Sequence, residues 1–176
     1  RVSRSALGAV AVAVSLALSL SACSIRPGAA AVVDGRVISQ DELETAQQEV
    51  EPLIPGITAS AILGVLIATP IYVKAAEANG VAVSVDDART LLASAATSAG
   101  LPADHSYGEG AVDMARLSLV SDKLSKLDGG QEIVAEVQAA VQRQEVTVNP
   151  RYGTFDPTTG QVTLSEPDWI APSPVQ

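Results

Sequence analysis

The chain has 176 residues, of which 47% are apolar and only 3% aromatic, so we expect a single domain whose core consists of Ala, Val, Leu and Ile. Its 20 acidic residues outnumber the 11 basic ones, giving a net charge of −9, which argues against the clustered basic surface of a nucleic-acid-binding protein. The single cysteine, Cys23, excludes an intrachain disulfide, and with His105 as the only histidine it also excludes a thiolate zinc site.

The amino-terminal segment has the three-part layout of a secretory signal peptide, which we assign to residues 1–22. Arg1 and Arg4 form a short basic region, a largely apolar stretch runs from Ala6 to Leu20, and two small residues follow. The ending Leu20-Ser21-Ala22-Cys23 resembles the bacterial lipobox, in which the cysteine receives a diacylglyceryl group and becomes the first residue of the mature chain. The alternatives are an ordinary signal peptide and a cysteine buried in an amino-terminal helix.

Lipidation of Cys23 predicts a protein attached to the cell membrane on its extracytoplasmic face. A thioether-linked lipid together with an amide-linked chain provides more than one acyl anchor, and this makes the attachment stable. Residues 23–29 then form a lipidated tether, in which Pro27-Gly28 interrupts regular structure.

The segment after the tether predicts a β-hairpin followed at once by a helix. Asp34-Gly35 is a two-residue turn, because Gly and to a lesser degree Asp tolerate a positive φ. The β-branched pairs Val32-Val33 and Val37-Ile38 flank this turn and suit strands. Ser39 is the predicted helix cap, and Glu42 completes a capping box. Because an isolated hairpin is barely stable in water, we expect a partner strand elsewhere in the chain.

The middle of the chain predicts about five helices. The first begins at Gln40 and ends near Pro52 or Pro55, and it is amphipathic. The next segment, Ile57–Val73, is apolar on nearly every face. A membrane span and a core helix are both compatible with it, but its length and Pro70 favour a core helix that the proline kinks or ends.

Three further helices are predicted by apolar periodicity. One begins at Ser84, one runs from about Glu109 to Leu127, and the last runs from Gln131 to Gln144. Asn79-Gly80 is a predicted helix stop with a left-handed cap. The helix after Ser84 has the predicted buried stripe Val85, Ala88, Leu91, Leu92 and Ala95.

Two groups of polar residues have the composition of acid–base sites. Asp86-Asp87 is a carboxylate pair, but adjacent helical residues point to different sides, so we interpret it as an acidic first turn. The following loop places His105 beside Asp104 and Ser106, with no motif for an oxyanion hole. We therefore expect no catalytic site, no metal site and no cofactor.

The pattern changes to alternation in steps of two at the carboxyl end. Val146–Val148 is therefore the predicted partner strand, and either Val32-Val33 or Val37-Ile38 can pair with it. Asp156–Gly160 has turn chemistry, and Gln161–Leu164 is a candidate return strand. The predicted fold class is mainly α: a helical bundle of about five helices, with a small antiparallel β element joining the amino-terminal hairpin to a carboxyl-terminal strand.

These predictions divide the chain into four segments. They are the signal peptide at residues 1–22, the lipidated tether at 23–29, a helical domain at 30–153, and an extended proline-containing tail at 154–176.

Both ends of the predicted domain resemble a known group of proteins. Val32–Leu43 resembles the opening of the SurA and PrsA chaperone families, where a hydrophobic pair, an Asn/Asp-Gly turn and a Ser/Thr-x-x-Glu/Asp-Leu helix start recur. Val146-Thr147-Val148-Asn149-Pro150-Arg151-Tyr152-Gly153, followed by Phe155-Asp156, resembles the closing segment of SurA-like lipoproteins from actinobacteria. Between these ends, only the helical character matches.

The resemblance implies a chaperone that binds unfolded or newly exported polypeptides outside the cytoplasm. Isomerase activity in these families belongs to a separate parvulin domain, for which this chain has neither the space nor the paired histidines. We therefore expect a non-catalytic protein with no small-molecule substrate, and no client-binding residue can be assigned from the resemblance. The alternative hypothesis is a structural or interaction lipoprotein of an envelope complex.

Overall fold

The computed structural model describes residues 26–102 and 104–164. Within these ranges the helices are α1 (Gln40–Val50), α2 (Ala59–Ala78), α3 (Val85–Ser98), α4 (Glu109–Ser125) and α5 (Gly130–Gln142). The strands are β1 (Ala29–Val33), β2 (Arg36–Ser39), β3 (Val146–Val148), β4 (Thr154–Asp156) and β5 (Gln161–Thr163). The predicted fold class is confirmed, because five helices lie between an amino-terminal hairpin and the carboxyl-terminal strand that pairs with it.

The three-stranded sheet has the order β2-β1-β3, and both of its pairings are antiparallel. Asp34 and Gly35 have φ angles of 48° and 84°, as the predicted two-residue turn requires. Val146 lies opposite Val33 and Val148 opposite Ala31, so β3 pairs with the first strand of the hairpin. Of the two partners that the sequence left open, the structure selects Val32-Val33.

The predicted helix caps are largely present. The Ser39 hydroxyl accepts a hydrogen bond of 3.0 Å from the Glu42 amide, and Ser84 forms a full capping box with Asp87. At α1 the capping box is incomplete: within the described part of the chain, the Glu42 side chain does not return a bond to Ser39. Ser39 is also the last residue of β2, where it lies opposite Ala29 in the sheet.

Of the two outcomes predicted for Pro70, a kink or an end of the helix, the end is wrong, because α2 continues through Pro70 to Ala78. A proline has no backbone N–H, so the carbonyl oxygen of Leu66, four residues earlier, loses its helical donor. The Arg36 guanidinium, at the hairpin turn, donates a hydrogen bond of 3.0 Å to this oxygen. A side chain 30 residues away in sequence therefore replaces the bond that the proline removes.

Three hydrophobic clusters form the core, and α4 contributes to the second and third. The first lies between the three-stranded sheet, α1 and α2, the second joins α1, α3 and α4, and the third joins α2, α4 and α5. By length and composition α2 is the one helix among the described residues that could cross a membrane. Its contacts with α1, α4, α5, β1 and β5 fit the core helix that the sequence favours.

Two details of the predicted helical stripes are corrected. In α3, Ala88 and Leu92 are buried as predicted, but Val85 is 39% exposed and Ala96, rather than Ala95, is the third buried residue. The buried residues Ala88, Leu92 and Ala96 are spaced four apart and form a narrow stripe. The stripe is narrow because α3 packs mainly against one helix, α4.

The segment assigned to the tail begins with a second hairpin, formed by β4 and β5. Val162 of β5 is buried in the first cluster, and Phe155 of β4 packs against the same cluster. The preceding Tyr152 is also buried there. Two of the three aromatic residues near the carboxyl end thus fix this hairpin to the helices, while Trp169 lies outside the described residues.

Candidate functional site

A groove of about 470 Å³ lies between α2, α4 and the β4–β5 hairpin. Its lining combines small, apolar and uncharged polar residues: Thr58, Ser60, Ala61, Gly64, Val65, Ala68, Tyr72, Leu117, Ser121, Gly160, Gln161 and Val162. None of these side chains carries a charge, although the chain as a whole has a net charge of −9. We name this feature the α2–α4–β5 groove.

The floor of the groove is a consequence of the residue spacing along α2. Ala61, Gly64, Ala68 and Tyr72 recur at intervals of three and four residues and therefore share one face of the helix. Ala61 is exposed, and the other three are partly buried, so this face is not closed by the core. The small side chains leave room above the helix, and Tyr72 ends the row with an aromatic ring.

One wall of the groove is a strand that approaches α2 closely. A Cβ atom added to Gly64 would lie 3.8 Å from the Val162 backbone nitrogen, which is ordinary van der Waals contact. An alanine would therefore fit at position 64, so Gly64 is not sterically required for the approach of the strand to the helix. Leu117 and Ser121 of α4 form the opposite wall.

The turn of the β4–β5 hairpin is built by the Asp156 carboxylate. This carboxylate accepts hydrogen bonds from the Thr158 amide at 2.8 Å, from the Thr158 hydroxyl, and from the Thr159 hydroxyl at 3.0 Å. The hydroxyl of Thr158 is the main cause of a lowered pKa for Asp156, followed by the Thr158 amide and the Thr159 hydroxyl. The Gln142 amide donates a 2.7 Å bond to the Thr158 carbonyl and so ties this turn to α5.

Outside the groove, exposed apolar surface is sparse in the described part of the chain. The exposed large hydrophobic residues there are Ile54, Val85 and Leu164, which lie in three separate segments. These three residues do not form a broad apolar patch, whereas the lining of the α2–α4–β5 groove is uncharged. Leu164 follows directly after β5, beside the wall of the groove.

A second cleft, of about 810 Å³, is polar. Glu44, Gln47, Gln48 and Glu51 form one stripe of α1 and face Arg151 and Tyr152 across it. Arg151 lies over the Tyr152 ring at 5.6 Å. The Tyr152 hydroxyl is buried without a hydrogen-bond partner among the described residues. The mixed charges of this cleft do not define a ligand.

The two groups of acid–base residues do not form a catalytic arrangement in the described structure. Asp87 binds the Ser84 amide, whereas Asp86 pairs with Arg89 at 3.4 Å, so the two carboxylates serve different partners. His105 is exposed and contacts the edge of the Tyr107 ring, with ring centroids 4.7 Å apart. Within this loop as described, neither Asp104 nor Ser106 makes a hydrogen bond with His105.

The lipobox residues Leu20, Ser21, Ala22 and Cys23 lie outside the described residues, as does the signal peptide. Within the ranges 26–102 and 104–164, no three Asp, Glu, His or Cys side chains are grouped so as to hold a metal ion.

No protein-family model, curated protein or solved structure matches this chain. The resemblance to SurA-like proteins is thus an expectation that rests on the quoted residues at the two ends of the domain.

The groove could not be identified from the sequence. The row of small residues on α2 is visible as an apolar segment, but its partner β5 lies about a hundred residues later. An apolar helix face alone does not reveal whether another element will pack against it or whether it will line an open groove.

Proposed function

We propose that this chain is a lipid-anchored, extracytoplasmic, non-catalytic chaperone-like protein that binds apolar segments of unfolded or newly exported polypeptides. The observation that supports this proposal most directly is the α2–α4–β5 groove. It is open, uncharged and lined by small residues over about three turns of α2. Grooves between helices are a recurring site for apolar polypeptide segments.

The chemistry of the groove suits weak and reversible binding. A floor of Ala61, Gly64 and Ala68 lets a bound backbone approach α2 closely, while Tyr72 and Leu117 offer apolar contact area. Burial of one large aliphatic or aromatic side chain contributes about 1.5–3 kcal/mol. A groove of this size accepts one or two such side chains, and this gives the low affinity that a reversible holding function needs.

A matched pair of variants tests the role of the groove. The chain from Ser24 to Gln176 retains every residue of the three core clusters, so it serves as the parent protein. We expect it to suppress aggregation of an unfolded test protein, and we expect Ala68→Glu to abolish the effect by placing a charge in the groove. Ala78→Glu introduces the same charge on an exposed part of α2 outside the groove and should behave like the parent. No suppression by the parent at stoichiometric excess contradicts the proposal.

A second candidate function is a structural or interaction lipoprotein of an envelope complex. The sparse exposed apolar surface favours it, because a general holding chaperone usually presents more contiguous apolar area than Ile54, Val85 and Leu164 provide. Cross-linking in the cell envelope distinguishes the two functions. Many unrelated adducts support client binding, and a single adduct in fixed proportion supports the defined complex.

The membrane anchor is tested at Cys23 itself. We expect the full chain to partition into the detergent phase and to incorporate a labelled fatty acid, and we expect Cys23→Ser to lose both properties. Retention of the label in the Cys23→Ser variant would exclude lipidation at this residue.

A further inference from the structure

We propose that the α2–α4–β5 groove is occupied in the resting protein by the chain's own carboxyl-terminal segment, through Trp169 and Ile170. This goes beyond the proposed function, because it assigns an occupant that would compete with any client. It stands on the position of the groove, the exit point of the chain and the composition of the segment that follows.

The described structure ends at Leu164, which follows the groove-lining part of β5 and lies beside Gly153. Gly160, Gln161 and Val162 form a wall of the groove, and Leu164, two residues after Val162, is 64% exposed. Residues 165–176 follow directly and lie outside the described residues.

The distances allow the segment to reach the whole groove. Trp169 lies five residues after Leu164, and an extended chain spans at most about 17 Å over five residues. From Ala61 to Tyr72 the floor of the groove spans 12 residues of α2, or about 16 Å of helix.

The composition of the segment complements the lining. Trp169 is the only tryptophan of the chain; Glu166 and Asp168 precede it, and the run from Trp169 to Gln176 contains no charged side chain. The lining is likewise uncharged, with small residues at its floor and Tyr72 and Leu117 beside them. Pro172 and Pro174 each have a φ angle fixed by the ring, so the segment has less conformational entropy to lose on docking.

A second copy of the chain is a less suitable occupant. Each copy carries a net charge of −9, so two copies repel each other, whereas an attached segment binds at a high effective concentration. Occupancy within one molecule is independent of protein concentration, and occupancy between molecules is not.

Fluorescence of the single tryptophan tests the proposal in the chain from Ser24 to Gln176. We expect Trp169 to emit at a shorter wavelength than in the urea-unfolded protein and to be protected from acrylamide, equally at all protein concentrations. Ala68→Leu fills the groove and should shift the emission to the unfolded value, while Ala78→Leu, on the same helix outside the groove, should leave it unchanged. An exposed Trp169 in the parent, protection that is lost on dilution, or equal behaviour of the two variants would overturn the proposal.

A cross-link provides a second measurement that does not depend on filling the groove. The chain from Ser24 onward contains no cysteine, so introduced pairs can be followed without background. We expect Leu117→Cys with Ile170→Cys to form a disulfide rapidly, and Thr90→Cys with Ile170→Cys to form it slowly, because Thr90 is exposed on α3 away from the groove. Equal rates for the two pairs would contradict the assigned site.

The outcome for the tail is separable from the outcome for client binding. A protected Trp169 in the parent, together with no suppression of aggregation even after residues 165–176 are deleted, supports tail docking and rejects the chaperone function. If both hold, deletion of residues 165–176 should increase the affinity for an apolar peptide, because the occupant has been removed.

Discussion

Arg36 is the residue that allows an apolar helix to contain a proline. It donates to the Leu66 carbonyl, which Pro70 has deprived of its helical donor. Arg36→Met removes this donor and leaves an unpaired acceptor on a residue that is only 1% exposed. We expect urea denaturation to show a fall of about 1–2 kcal/mol in the free energy of unfolding. The effect is limited because Arg36 itself is exposed to solvent.

A double-mutant cycle separates this bond from the other contacts of Arg36. In a Pro70→Ala background, the substituted alanine has an N–H that can bind the Leu66 carbonyl within the helix. The cost of Arg36→Met should then become clearly smaller. Additive effects of the two substitutions would show that the guanidinium does not compensate for the proline.

Asp87 links the stability of the protein to acid pH. The Ser84 backbone N–H, and after it the Ser84 hydroxyl, lower the pKa of this exposed carboxyl from its ordinary value of 3.8. Because the folded pKa is below the unfolded one, the stabilisation is complete above the unfolded pKa and is lost as the pH falls through the folded pKa.

We therefore expect Asp87→Ala to lower the melting temperature at neutral pH and to have no effect once the pH lies below the folded pKa. Asp104→Ala is the control, since it removes an exposed carboxylate from a loop rather than from a helix cap. A difference between Asp87→Ala and the parent that is constant with pH would exclude the charged cap as its cause.

At the scale of elements, α4 begins without a capping side chain of its own. Gly108 precedes it, and its backbone N–H donates to both carboxylate oxygens of Glu49 on α1, at 3.0 Å and 2.9 Å. Glu49→Ala should cost about 1 kcal/mol in the free energy of unfolding, and Glu49→Gln, which keeps one acceptor, should cost less. Glu44→Ala, on the exposed face of α1, is the matched control. Equal losses for Glu49→Ala and Glu44→Ala would contradict the cap.

The elements that the sequence predicts correctly are those with local signals. The Asp34-Gly35 turn, the Ser84 capping box and the Gly80 helix stop each depend on residues within a few positions, and each is present. The cap of α4 is not predictable in this way, because its acceptor Glu49 lies 59 residues before Gly108. The continuation of α2 through Pro70 escapes prediction for the same reason, since Arg36 is remote in sequence.

The candidate groove shows the same limit on the functional side. Sequence reasoning predicts a lipobox and finds no catalytic motif, and both inferences depend on short patterns. It does not identify which face of α2 stays open, because that depends on how closely β5 approaches Gly64. The Arg36–Leu66 bond and the groove occupy the same helix, so the hairpin turn also helps to hold the floor of the groove.

At the scale of the whole molecule, the two ends of the described chain close one sheet. β1 is its central strand, with β2 on one side and β3, more than a hundred residues later, on the other. The Asp34 carboxylate adds a bond of 2.9 Å from the Glu145 amide, and the Asn149 side chain donates to the Ala29 carbonyl at 3.2 Å. The long segment between β1 and β3 adds little to the entropic cost of this pairing, because loop-closure entropy grows slowly with loop length.

A truncation tests whether this closure stabilises the domain. Removal of all residues from Glu145 onward deletes β3, β4 and β5, together with the buried Tyr152 and Val162. We expect cooperative thermal unfolding to be lost or its midpoint to fall strongly. Removal of residues 165–176 alone deletes no residue of the three clusters and should leave a cooperative transition. An unchanged melting temperature after the longer truncation would show that the paired strand is dispensable.

A single residue separates the hydrogen bonds of the closing strand from its buried side chains. The Asp34 amide donates to the Glu145 carbonyl at 2.9 Å, and the Asn149 amide donates to the Ala30 carbonyl at 2.8 Å. Because backbone groups alternate in direction along an antiparallel strand, Thr147, between these residues, also directs its N–H and C=O to β1. Its side chain is exposed.

Thr147→Pro therefore deletes a ladder donor without removing core volume, and Thr147→Ala keeps that donor while removing the same exposed hydroxyl. We expect Thr147→Pro to lower the free energy of unfolding by about 2 kcal/mol or more, and Thr147→Ala by less than about 1 kcal/mol. Urea denaturation of the two variants measures the difference directly. If they are equally stable, the hydrogen bonds between β1 and β3 contribute nothing, and the closing strand is held by the packing of Val146 and Val148 against the first cluster.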